Sequence, residues 1–143
     1  MVKTLPDKWI RKAVFDAINN IVVDTKTIKC YDTRATGSDD DNYILLSTQS
    51  NEVNKSNKCE YQWESSILID IITKYKLSGN TGSRLLADNI LNEVRNLTNS
   101  LTLDVASNLD IIWQKQSFPS DIVSETPNEI VYRKLMRIEF LIN

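Results

Sequence analysis

Residues 59–75 alternate between two faces with a period of two. The odd positions are Tyr61, Trp63, Ser65, Ile67, Ile69, Ile71, Thr73 and Tyr75. The even positions are Glu60, Gln62, Glu64, Ser66, Leu68, Asp70, Ile72 and Lys74. An extended strand sends successive side chains to opposite sides, so this pattern predicts one strand with an apolar face and a mostly polar one. The run exceeds the usual five or six residues of a strand. A chain carrying it is committed to a sheet with one long member whose apolar face needs cover. Leu68 and Ile72 break the pattern by falling on the polar side.

Two segments supply that cover. Residues 6–20 place Ile10, Ala13, Val14, Ala17 and Ile18 at three- and four-residue steps, a helical stripe that continues to Ile21. Pro6 and Asp7 suit its first turn, and Asn19-Asn20 ends it. Residues 84–99 repeat the pattern with Leu86, Ala87, Ile90, Leu91, Val94 and Leu97, after Ser83 as N-cap and a linker holding Gly79 and Gly82. Further strands are expected at 27–31, 43–48, 109–118 and 129–142. Residues 32–42, with Gly37 and Asp39-Asp40-Asp41, and residues 119–128, with two prolines, read as loops. The expected fold is therefore α+β, in the order α-β-β-β-α-β-β. Short turns between neighbouring strands imply an antiparallel sheet of four to five strands, with both helices packed on one face. At 143 residues the chain suits a single domain spanning 1–143.

Several kinds of chemistry are excluded. The chain has no histidine, which removes Ser-His and Cys-His nucleophile pairs. Its two cysteines, Cys30 and Cys59, lack the spacing and partners of a common zinc site, and in a reducing cytoplasm they form no bridge. Seventeen basic and nineteen acidic residues leave a net charge of -2, with no global pull toward nucleic acid or anionic lipid. No signal peptide precedes the first helix and no window could span a bilayer, so synthesis in the cytoplasm is expected. Gly79-Asn-Thr-Gly-Ser-Arg84 lacks the spacing and the Lys of a phosphate-binding loop. No cofactor or metal is expected.

The element order and several local patterns resemble the tail-terminator (tail-completion, or neck) proteins of long-tailed bacteriophages. The resemblance rests on the opening helix from Ile10 to Ile21, a strand ending in Tyr31-Asp32, and Tyr43-Ile44-Leu45-Leu46. It continues through the long strand from Trp63 to Tyr75, the linker from Gly79 to Gly82, Leu86-Ala87-Asp88, and the last strand from Ile130 to Ile142. It spans nearly the whole chain, although Asp41-Asn42 stands where the family often has proline, and the glycine linker is longer than usual. It implies a structural virion protein of the tail or neck: a homo-oligomeric ring, generally a hexamer, that terminates the tail tube and joins it to the head connector. The implied partners are copies of itself, the tail-tube protein and a head-completion or connector protein. DNA would pass through the lumen without specific binding, and no membrane or covalent chemistry is involved.

Candidate residues follow from both readings. Leu68 and Ile72, with Asp70, Arg133 and Arg137 supplying charge, are the expected oligomer interface on the sheet's outer face. A closed ring needs two different patches in contact. Asp39, Asp40 and Asp41 read first as a solvated loop, and the resemblance adds a lumen or neighbour-contact role. Within phage assembly the alternatives are a head–tail stopper or a tube protein. From another class, a small enzyme could use carboxylates such as Glu60, Glu64 and Asp70.

Overall fold

The long alternating run is a 15-residue strand at the centre of a seven-stranded sheet. A computed structural model describes residues 4–32, 41–54, 62–76 and 84–143. The chain begins with α1 (Asp7–Ile18), whose Ile10, Val14 and Ile18 are spaced by four and buried. Asn19 then turns extended, and Asn20 takes φ 58°, a left-handed conformation that asparagine tolerates better than most residues.

The hairpin that follows, β1 (Ile21–Val23) and β2 (Lys26–Asp32), turns through Asp24 and Thr25 at φ 50° and 67°. A two-residue turn with both residues at positive φ is the hairpin geometry that favours glycine second. A β-branched residue there is strained by roughly 1–2 kcal/mol, part of which glycine would lose again as unfolded-state entropy. Thr25→Gly should therefore stabilise the chain by about 0.5–1 kcal/mol, read as a higher urea midpoint. An unchanged or lower midpoint would show that the strain is not there.

Five more strands complete the sheet: β3 (Asn42–Asn54), β4 (Gln62–Lys76), β5 (Ile111–Ser117), β6 (Asp121–Glu125) and β7 (Glu129–Ile142). Their order is β1-β2-β3-β4-β7-β5, with β6 also on β7. β5 and β6 follow one another along a single edge of β7. Ser117 faces Arg137, the Leu135 amide donates to the Ser120 carbonyl, and Asp121 faces Lys134. The chain doubles back through Thr126 and Glu129.

The α+β class and the two helices on one face agree with the sequence reading. The strand count is higher than expected, and the order is α-β-β-β-β-α-β-β-β. β1 and β6 are the additions. The sheet is also mixed, because β2 and β3 run parallel, Lys29 facing Tyr43 and Asp32 facing Leu46. All other pairs are antiparallel.

The two helices cover the face that carries Ile67, Ile69 and Ile71. Directly opposite residues share a face, so Ile44 and Leu46 of β3 and Met136, Ile138 and Phe140 of β7 join them. Helix α2 (Arg84–Leu97) adds Leu86, Ile90 and Val94. A register shift between Leu46 and Gln49 keeps both residues on the helix side. Gln49 there donates to the Asp7 carbonyl at 3.0 Å, tying the start of α1 to the sheet. At the other edge Gln114 donates to the Thr98 carbonyl at 2.6 Å and Gln116 to the Arg95 carbonyl at 3.0 Å, so the end of α2 is fastened to β5. Lys134 is buried among the helix-side residues between Asp88 of α2 at 2.7 Å and Asp121 of β6 at 2.9 Å. Burial opposes its charge, yet the two carboxylates prevail and hold its pKa above the ordinary lysine value.

Candidate assembly surface

No helix covers the second face of the sheet among the described residues. Across it, the register sets the side chains in rows. Lys29, Tyr43, Ile72, Arg133 and Ile122 form one row; Tyr31, Leu45, Asp70 and Leu135 form the next. Leu68 and Arg137 face each other, then Ser50, Ser66, Glu139 and Lys115, then Glu52, Glu64, Leu141 and Trp113. All five expected interface residues thus lie on this one face, as a diagonal band across β4 and β7.

They differ in availability. Arg137 is exposed and Leu68 half-buried. Asp70 and Ile72 are only 2% and 6% exposed, although no element among the described residues lies on top of them. Flanking side chains provide the cover: Leu45 and Leu135 stand on either side of Asp70, and Tyr43 and Arg133 on either side of Ile72. Alternation alone put Ile72 at the surface; the bulk of its cross-strand neighbours removes it.

Arg133 spans the two rows. Its Nε and Nη2 donate to one carboxylate oxygen of Asp70 at 3.1 and 2.5 Å, a forked charge-assisted pair. The Asp70 hydrogen bond raises the Arg133 pKa further above its already high value. Asp70 is therefore neutralised within its own chain. Beside this pair, Tyr31 and Tyr43 meet edge to face at 6.0 Å, and the Lys74 ammonium lies 5.6 Å from the Tyr43 ring.

Lys29, Lys74 and Arg133 gather at one end. Glu52, Glu64 and Glu139 line a shallow trough of about 610 Å³ at the other, with Ser50, Ser66 and Trp113. The trough is open, and Arg137 stands among its carboxylates. Of the carboxylates weighed for an enzyme, Glu64 is here, Asp70 is paired, and Glu60 lies outside the described residues. No group of three or more His, Cys, Asp or Glu among the described residues could hold a metal.

The β5–β6 edge borders the same face. Its exposed apolar side chains are Ile112, Trp113, Phe118, Ile122 and Val123, with Trp113 at 47% and Val123 at 55%. Sequence reasoning placed a strand at 109–118 but missed β6, because prolines at 119 and 127 marked that segment as loop. The available signal was Ile122-Val123, a β-branched pair between turn residues.

Other sequence expectations are placed as follows. Asp41 precedes β3, and its carbonyl accepts the Lys74 amide at 2.8 Å. Asp39, Asp40, Cys59 and the Gly79–Gly82 linker lie outside the described residues. Cys30 is buried on the helix side, where desolvation, aided by Asp32, pushes its thiol pKa up to about 12. It stays a protonated core residue, poorly suited to redox chemistry or metal ligation. No helix among the described residues is long and apolar enough to cross a membrane.

No protein-family model matches this chain, and no curated protein does. Among solved structures, the fold is similar to that of a chain in the "Virion of native gene transfer agent (GTA) particle". The TM-score is 0.61 at 14% sequence identity, over 94% of this chain and 96% of that one. At that identity the likeness shows a shared fold, matched almost end to end.

Proposed function

We propose that this chain is a structural subunit of a phage-like particle, assembling into a homo-oligomeric ring that ends the tail tube and joins it to the head connector. The observation that carries the reading is the sheet face opposite the helices. It presents a band of half-buried apolar side chains around Leu68, Leu45 and Leu135, rimmed by Arg133 and Arg137, and none of the described elements is laid over it. Surfaces of that kind are covered by partners. The GTA virion chain, sharing the fold over nearly its full length, points to a virion as the setting.

In this reading Leu68, Arg133 and Arg137 are the outermost interface residues, and Asp70 and Ile72 shape the surface from beneath. The ring is a hexamer, with the tube protein on one side and a head-completion protein on the other. Asp39, Asp40 and Asp41 are assigned the lumen or neighbour-contact role; acidic side chains in a lumen would keep DNA from sticking. No covalent step is required.

Electron microscopy of the purified protein mixed with tail tubes from the same particle tests this. A symmetric ring at one end of each tube is expected. Rings bound only beneath the capsid portal would favour a head–tail stopper instead, and unlimited tubes built from this chain would favour a tube protein.

A further inference from the structure

β6 is exposed at all five of its positions, with Ile122 at 37% and Val123 at 55%. It buries little apolar surface, so the hydrophobic effect that holds the central strands contributes little to it. Its ladder to β7 and one side chain hold it instead. The Leu135 amide donates to the Ser120 carbonyl, and the Thr126 amide to the Glu129 carbonyl. Bonded pairs alternate along an antiparallel ladder, so Ile122 with Arg133 and Ser124 with Val131 are the bonded pairs between those two ties. Among the described residues, Asp121 is the one member of β6 whose side chain is tied to another element. It accepts from Lys134 at 2.9 Å and pairs with Arg84 of α2 at 3.6 Å.

The elements that β6 leans on are anchored without it. β7 pairs with β4 at every position from Glu129 to Ile142, and α2 buries Leu86, Ala87 and Ile90. Lys134 keeps a second carboxylate, that of Asp88, at 2.7 Å. β5, which shares the edge, is fastened to α2 through Gln114 and Gln116, and Asp110 and Asn143 exchange backbone bonds beside it. Pro119 and Pro127 bracket β6, and neither has an amide to donate at its ends.

We propose that β6 is a detachable strap, clasped by Asp121, that lifts from β7 as one unit while the rest of the sheet stays closed. Opening bares the amides and carbonyls of Val131 and Arg133, and a bare sheet edge is a template for an added strand. It also removes Ile122 from its place beside Arg133 on the open face. The strap is a property of the single chain and does not depend on the self-assembly reading.

Hydrogen–deuterium exchange of the full chain, followed by NMR at low urea and corrected for intrinsic rates, provides the test. The amides of Ile122, Ser124, Val131 and Arg133 should exchange together, at least a hundredfold faster than that of Ile69. Tyr132 and Lys134, the alternate amides of the same stretch, donate toward β4 and should stay as protected as Ile69. Asp121→Asn should speed the four strap amides about tenfold and leave Tyr132, Lys134 and Ile69 unchanged. Ser124→Pro removes a ladder donor and should speed Ile122, Val131 and Arg133 at least as much. Strap amides that exchange only as slowly as Ile69 would overturn the proposal, because β6 would then open only with the whole fold. Asp121→Asn that changes none of the amides, or all of them alike, would overturn the clasp.

Discussion

A chain carrying Leu68→Asp should fold normally and lose at least a hundredfold in self-association. Leu68 is half-buried on the open face and directly opposite Arg137, which is exposed. In the isolated chain the new carboxylate would sit against that guanidinium as a cross-strand charge pair, worth a few tenths of a kcal/mol in its favour. Once a neighbour covers the face, the same carboxylate must be desolvated. A cost of about 3 kcal/mol or more is then expected, and each 1.4 kcal/mol is a factor of ten. The comparison variant is Ile72→Asp. Ile72 is 6% exposed, so the change should unfold or strongly destabilise the monomer before assembly is in question. Sedimentation with circular dichroism on both variants checks the distinction. Unchanged association of the folded Leu68→Asp chain would remove Leu68 from the interface.

Arg133→Met should lower folding stability by about 2–3 kcal/mol, and adding Asp70→Leu should recover most of that loss. Asp70 is 2% exposed and accepts from Arg133 Nε and Nη2 at 3.1 and 2.5 Å on one oxygen, and from Nε at 3.4 Å on the other. Breaking a buried pair by removing one partner costs about 3–5 kcal/mol, because the remaining charge stays out of water. The Arg133 side chain is 40% exposed, so water can reach part of the vacated site and the expected loss falls just below that range. Removing both charges leaves apolar side chains between Leu45 and Leu135, a setting that accepts them. Urea denaturation of the two single variants and the double variant measures the coupling. A double variant as unstable as Arg133→Met would show that the loss comes from packing of the arginine stem.

Much of the fold was legible because its largest elements have strong periods. Ile10, Val14 and Ile18, and Leu86, Ile90 and Val94, fix one buried helical stripe each; residues 67–71 and 136–142 fix the two central strands. The weaker elements were not legible for identifiable reasons. β6 is exposed at every position, so no alternation marks it, and it exists because β7 offers an edge. β1 is three residues long and is bounded by left-handed residues at 20 and 24, which read as turn. The parallel pairing of β2 with β3 depends on a connection whose path local sequence does not encode.

The candidate surface was half legible. Alternation placed Leu68, Asp70 and Ile72 on one face of β4, and β7 indeed brings Arg133 and Arg137 beside them. Burial of Asp70 and Ile72 could not be read from β4 alone, because the cover comes from Tyr43 and Leu45 on one neighbouring strand and Arg133 and Leu135 on the other. The pairing of Asp70 with Arg133 spans 63 positions in sequence and became definite only with the register. The glutamines that fasten α2 to β5 carried no periodic signal at all.

The central claim is that neighbouring copies cover the open face. Hydroxyl-radical footprinting from low micromolar to near-millimolar protein measures this side chain by side chain. The account predicts that oxidation of Leu68, Tyr43, Trp113 and Phe118 falls together as concentration rises, while exposed Leu5 and Val105, away from the face, stay constant. Equal oxidation of all six at every concentration would mean that water, and no second copy, occupies the face.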